Sequence, residues 1–114
     1  MDRAEVGRVC LALPAVTLDH PFGHDHDTYK VGGRMFAMAG DAGRVSFKVS
    51  DIAYEVLTGT GRAQPAPYLA RARWVNLDDS GDWDDAELIG HLQTAHALIV
   101  AKLTRKARAE LGLT

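Results

Sequence analysis

Apolar positions along this chain switch between two periods, and the switches mark its elements. Val6, Val9, Cys10 and Leu13 recur at helical spacing, Asp2 and Glu5 stand as a capping box, and Pro14 closes the segment, so the first element is a helix. From Ala15 to Asp27 neither period is sustained. With Pro21 and Gly23 inside it, this stretch is expected to be an ordered loop anchored by Phe22. Thr28-Tyr29-Lys30-Val31 and Arg34-Met35-Phe36-Ala37-Met38-Ala39 flank Gly32-Gly33, whose freedom to take positive φ suits a two-residue hairpin turn. After the turn Asp41-Ala42-Gly43, the run Arg44-Val45-Ser46-Phe47-Lys48-Val49 alternates without a break, with Arg44, Ser46 and Lys48 on one face. Ser50 or Asp51 caps a short helix ending near Leu57. Gly59 to Pro67 is a loop of breakers, and Tyr68 to Leu77 holds at least one strand centred on Arg73-Trp74-Val75-Asn76. A last, long helix begins near Trp83, with Leu88, Ile89, Leu92, Ala95, His96, Ile99 and Leu103 on one stripe.

The predicted order is helix, three strands, helix, one or two strands, long helix. Short connections make neighbouring strands antiparallel, and a chain of 114 residues buries all of these stripes most simply as one domain, 1–114. The expected fold class is α+β: a two-layer sandwich with helices on one face of an antiparallel sheet. No apolar run approaches a membrane span, and the N-terminus lacks the pattern of a secretion signal. The single cysteine cannot close an internal disulfide, so a cytoplasmic, monomeric protein is expected.

Net charge is −2, which argues against indiscriminate attraction of polyanions by the whole molecule, but the charges are partitioned. Lys30, Arg34, Arg44, Lys48, Arg62, Arg71 and Arg73 face only Asp41, Asp51 and Glu55 in the middle of the chain, whereas Asp78 to Glu87 is wholly acidic and the tail from Lys102 is basic again. If helices cover one side of the sheet, Lys30, Arg44, Lys48, Arg71 and Arg73 are expected to converge on the other, joined by Lys102 and Arg105. Such a surface meets phosphates by charge pairing and counterion release. The competing reading is that strand positions facing solvent carry Lys or Arg for solubility and edge protection. Arg34 stands apart, sharing parity with Phe36 and Met38, and is expected at a strand end.

Five separated blocks carry a resemblance. Leu13-Pro14-Ala15-Val16-Thr17 with His20-Pro21-Phe22-Gly23, then Tyr29-Lys30-Val31-Gly32-Gly33-Arg34-Met35-Phe36-Ala37, then Val45-Ser46-Phe47-Lys48, then Pro65-Ala66-Pro67-Tyr68-Leu69 with Trp74-Val75, and finally Ala101-Lys102-Leu103, resemble the MmcQ/YjbR family of small bacterial proteins. The resemblance spans nearly the whole chain. It implies an α+β fold also compared with frataxin-like and secretion-chaperone-like domains, and a DNA-binding role described as a double-wing motif. Where the family often has a Ser-Tyr pair in the last helix, this chain reads Ala95-His96.

Other chemistry is sparse. His20, His24 and His26 alternate with Asp19, Asp25 and Asp27, donors a metal would accept, but at no recognised zinc spacing; a hydrogen-bonded loop is the simpler expectation, with metal or small-ligand binding as the alternative. Cys10 lies in an apolar stripe and reads as a core residue. Gly59-Thr60-Gly61 opens like a nucleotide fingerprint, but Gln64 stands where the third glycine belongs. No Walker loop, nucleophile elbow or His-Glu-x-x-His is present. A non-enzymatic, cofactor-free binding protein is therefore expected, with DNA as partner or, alternatively, a protein surface in a chaperone-like role.

Overall fold

The structure, a computed structural model, describes residues 1–113. Helix α1 (Arg3–Leu11) begins as its sequence dictates: the Asp2 carboxylate accepts from Glu5 N at 2.8 Å and Glu5 Oε1 accepts from Asp2 N at 3.1 Å. The segment expected to be loop contains a strand, β1 (Val16–Asp19), paired with β2 (Asp27–Val31) from Val16 opposite Val31 to Asp19 opposite Thr28. β1 lies at the edge of the sheet, and all but Val16 is exposed, so no apolar alternation marks it. β2 and β3 (Arg34–Ala39) form the predicted hairpin, with Gly32 at φ 60° and Gly33 at φ 78°, a turn whose twist matches that of the strands it joins.

The sheet continues with β4 (Val45–Lys48), β5 (Gln64–Pro65) and β6 (Trp74–Leu77), giving a six-stranded antiparallel sheet in the order β1-β2-β3-β4-β6-β5. Helix α2 (Asp51–Gly59), capped by Ser50, follows β4 and packs against β5 and β6. Helix α3 (Asp85–Val100), capped by Asp84, lies across β2, β3 and β4, with α1 packed beside it. The two-layer α+β sandwich is thus the observed fold. Val6, Tyr29, Phe36, Phe47, Leu88 and Leu92 fill the space between helices and sheet.

Besides β1, and β5 within the stretch Gly59 to Pro67 expected to be loop, the chain departs from the predicted elements in three further places. The β2–β3 register shifts between Tyr29 and Lys30, leaving Phe36 as an extra residue whose ring meets His96 of α3 edge-on at 5.4 Å. The strand expected around Arg73 begins only at Trp74, because Ala70–Ala72 is a 3-10 turn and Arg73 is left-handed at φ 61°. The long helix stops at Val100. Leu103 turns back onto the hairpin, where a Cβ on Gly32 would lie 2.8 Å from its methyl carbons, and a fourth helix, α4 (Arg105–Glu110), starts from a Thr104 cap. Among the described residues, no helix is long and apolar enough to cross a membrane.

Candidate nucleic-acid interface

Strand β4 decides where its two cations go. Arg44 and Lys48 share a face but sit at opposite ends, about 13 Å apart at strand rise. Lys48 stands opposite Trp74 in the β4–β6 ladder, and its ammonium donates to the Ala72 carbonyl at the end of the 3-10 turn. The residue is only 8% exposed. Burial pushes its pKa below the ordinary lysine value, and the neighbouring Lys102 ammonium pushes it the same way.

Lys102 reaches this place because α3 ends early: the turn between α3 and α4 carries it over the end of the sheet. Arg34, the first residue of β3, arrives from the hairpin. Together Arg34, Lys48 and Lys102 line a depression of about 310 Å³ with Met35, Trp74 and Ile99, and among the described residues no carboxylate lines it. Arg71 is exposed on the 3-10 turn beside Ala72. Arg73 borders the same region but is engaged: its Nε donates to Asp51 Oδ1 at 3.0 Å and its guanidinium lies 4.9 Å from the centre of the Tyr54 ring.

The remaining expected contacts lie elsewhere. Lys30 Nζ donates to Asp19 Oδ2 at 2.8 Å, across the edge pair that the loop reading of residues 15–27 could not show. Arg44 is exposed at the rim of a cavity of about 400 Å³ on the helix-free face, where Ser46 donates to Asn76 and Asn76 donates to Asp78, each at 2.9 Å. Arg105 borders a third hollow with Arg108, beside His96. The seven cations therefore do not share one plateau on the sheet. Lys48 and Lys102 come together, Arg71 stands close by, Lys30 and Arg73 are neutralised, and Arg44 and Arg105 face separate hollows. Arg34 is the member that sequence reasoning set aside. The strand-end position expected for it is the one it takes, as the first residue of β3 directly after Gly32-Gly33, and from there it reaches the depression.

The histidine loop is tied down rather than open. Arg3 donates from Nε to Asp27 Oδ2 at 2.8 Å, and from Nη2 to Asp27 Oδ1 at 2.9 Å and to the His24 carbonyl at 2.7 Å, while His20 Nε2 pairs with Asp27 Oδ1 at 2.9 Å. Among the described residues, no three His, Cys, Asp or Glu side chains converge as metal ligands would. Cys10 is fully buried, and burial pushes its thiol up to about 12, leaving it protonated. Gly59-Thr60-Gly61 closes α2, the opposite end of a helix from the one that cradles phosphates. His96 is buried, its Nε2 2.8 Å from the Pro14 carbonyl, so that nitrogen carries the proton and pins α3 to the α1–β1 corner.

Comparison with known proteins covers almost the whole fold. A family model described as YjbR matches residues 11–98. The crystal structure of Deinococcus radiodurans protein DR2400, described as a DUF419 domain, superimposes with a TM-score of 0.87 and 27% sequence identity, over 99% of this chain and 89% of that one. No curated protein is a significant match.

Proposed function

The chain belongs to the YjbR family, and from that premise we propose that it is a non-enzymatic DNA-binding protein that engages phosphates at the end of the sheet where the β2–β3 hairpin, β4 and the α3–α4 turn meet. One observation supports this above others: Arg34, Lys48 and Lys102 line a common depression that no carboxylate of the described residues lines, on a protein whose net charge is negative. A solubilising surface intersperses its signs. This cluster does not. Arg71 stands beside the cluster, Arg105 faces a separate hollow, and Lys30 and Arg73 contribute little net field because Asp19 and Asp51 hold them.

Fluorescence anisotropy of a labelled duplex across a salt series tests the proposal. Three to four phosphates neutralised should give a slope of log affinity against log salt of about −3 to −4. No measurable binding at low salt overturns it.

A second reading, a protein-interaction module, draws on a different surface. Ile52 and Val56, one turn apart on α2, are 79% and 56% exposed and border a groove of about 460 Å³ toward His91 of α3. A partner captured from nuclease-treated lysate and lost on Ile52→Asp would favour it. Retention of that partner by the variant would remove it.

A further inference from the structure

We infer that the depression formed by Arg34, Lys48 and Lys102 is a site for the phosphoryl group of a phosphomonoester. The inference rests on the same cluster as the DNA reading and narrows it, from phosphodiesters along a strand to a terminal phosphate.

A lysine as buried as Lys48 is ordinarily matched by a carboxylate or carries its charge out to water. Lys48 has no carboxylate partner among the described residues: its hydrogen bond goes to the neutral Ala72 carbonyl, and Lys102 and Arg34 are the other charged side chains lining the depression. Asp51 lies within electrostatic reach but is held by Arg73. The half-covered ammonium thus faces a depression whose remaining charged walls repel it. An anion in the depression attracts all three cations and offsets their mutual repulsion.

Charge and shape select the anion. Three cations reach the rim of this open depression from three separate elements, β3, β4 and the α3–α4 turn, so an anion seated in it is shared among them. A phosphodiester brings a single negative charge spread along a chain that must enter and leave the depression. A phosphomonoester brings a charge of about −1.5 to −2 on three terminal oxygens, and needs only one exit for its ester carbon. Trp74, Met35 and Ile99 give that side of the depression apolar walls. Arg34 supplies the planar fork that grips two phosphate oxygens, and the lysines supply point charges.

The same chemistry is presented by free phosphate, by a mononucleotide and by the 5′-phosphorylated end of a DNA strand, and the experiment separates them. Inorganic phosphate is titrated into the protein at fixed ionic strength, with chloride replaced by phosphate, and the melting temperature is followed. In parallel, anisotropy compares one oligonucleotide carrying a 5′-phosphate with the same strand carrying a 5′-hydroxyl. Phosphate should raise the melting temperature saturably, as binding to the folded state alone requires. That rise should disappear in Lys48→Met and shrink in Lys102→Ala, whose side chain is exposed and whose loss leaves the core intact. The phosphorylated strand should bind at least tenfold more tightly than the hydroxyl strand. If phosphate stabilises the protein through Lys102 but the two strands bind alike, the site stands and its ligand is a small phosphomonoester. No saturable effect of phosphate, or an effect unchanged in Lys102→Ala, overturns the inference. Strands that then still bind with the expected salt slope would leave the DNA reading in place.

Discussion

Arg3 and Asp27 form a two-pronged ion pair, with Nε to Oδ2 at 2.8 Å and Nη2 to Oδ1 at 2.9 Å, that fastens the first turn of α1 to the start of β2. The Arg3 hydrogen bonds hold the Asp27 carboxyl down at about 2, with His20 adding to the effect. In the unfolded chain an aspartate titrates near 3.9. Because the folded value is the lower one, the pair's stabilisation is fully present above about pH 4 and is lost as pH falls toward 2. Asp27→Asn should therefore cost about 2 kcal/mol at neutral pH, as charge-assisted hydrogen bonds typically do. Urea unfolding of both proteins at several pH values should show that difference closing between pH 4 and pH 2. A difference constant across the range would place the pair's contribution outside electrostatics.

Gly7 and Tyr29 meet at close range in the same corner. A Cβ on Gly7 would lie 2.8 Å from the Tyr29 hydroxyl oxygen, although α1 would otherwise welcome alanine by about 1 kcal/mol. The phenol is itself buried, its pKa pushed up to about 12 chiefly by desolvation, and has no room to retreat. Gly7→Ala should destabilise the fold by about 1–3 kcal/mol. Tyr29→Phe removes the clashing oxygen, so in a double-mutant cycle the pair of substitutions should cost less than the sum of the two single ones. Simple additivity would show that helix α1 shifts freely to make room.

His91 is sandwiched between two aromatic rings, 5.5 Å from Phe47 and 5.6 Å from Trp83. Burial lowers its pKa, and Glu87, occupied by Arg62 in a two-pronged pair at 2.8 Å, only partly opposes the shift. The unfolded ring takes its proton near 6.5, before the folded one does. Stability from the neutral ring is thus complete above about pH 6.5 and declines as pH falls below it. The loss should be measurable by chemical unfolding between pH 7.5 and 5 and should be absent from His91→Phe. An identical slope in that variant would assign the titration to another group.

Much of this fold was legible in the sequence because its signals are local. The Asp2–Glu5 box, the Gly32-Gly33 turn, the alternation from Arg44 to Val49 and the acidic start of α3 each act within a few residues and form as predicted. β1 was not legible, since an edge strand with one side open and three of its four residues exposed is defined by its pairing with β2 rather than by its own pattern. The candidate site divided along the same line. Lys48 was placed by alternation on the polar face of β4, and it is buried instead. The partners of these cations were not visible, because Asp19 reaches Lys30 across 11 residues and Asp51 reaches Arg73 across 22, and because the position of Lys102 depends on α3 ending at Val100. Parity predicts the face of a side chain but not the charge it will meet there.

That distinction separates two lysines within the proposed DNA-binding activity. Lys30 and Lys102 carry the same charge, but Lys30 is held at 2.8 Å by Asp19 on the β1 edge, whereas Lys102 is exposed beside Lys48. A cation already paired releases no counterion when DNA arrives, because the phosphate would first have to displace Asp19. Lys30→Ala should therefore leave the salt slope of duplex binding unchanged, and Lys102→Ala should make it shallower by about 1. Asp19→Ala supplies the converse: with its carboxylate removed, Lys30 is free, and affinity at low salt should rise if DNA passes over that edge. Anisotropy titrations of the three variants at matched salt would read all of this. Equal losses from Lys30→Ala and Lys102→Ala would return the interface to the broad sheet face, and a shallower slope from Lys30→Ala alone would move it to the β1 edge.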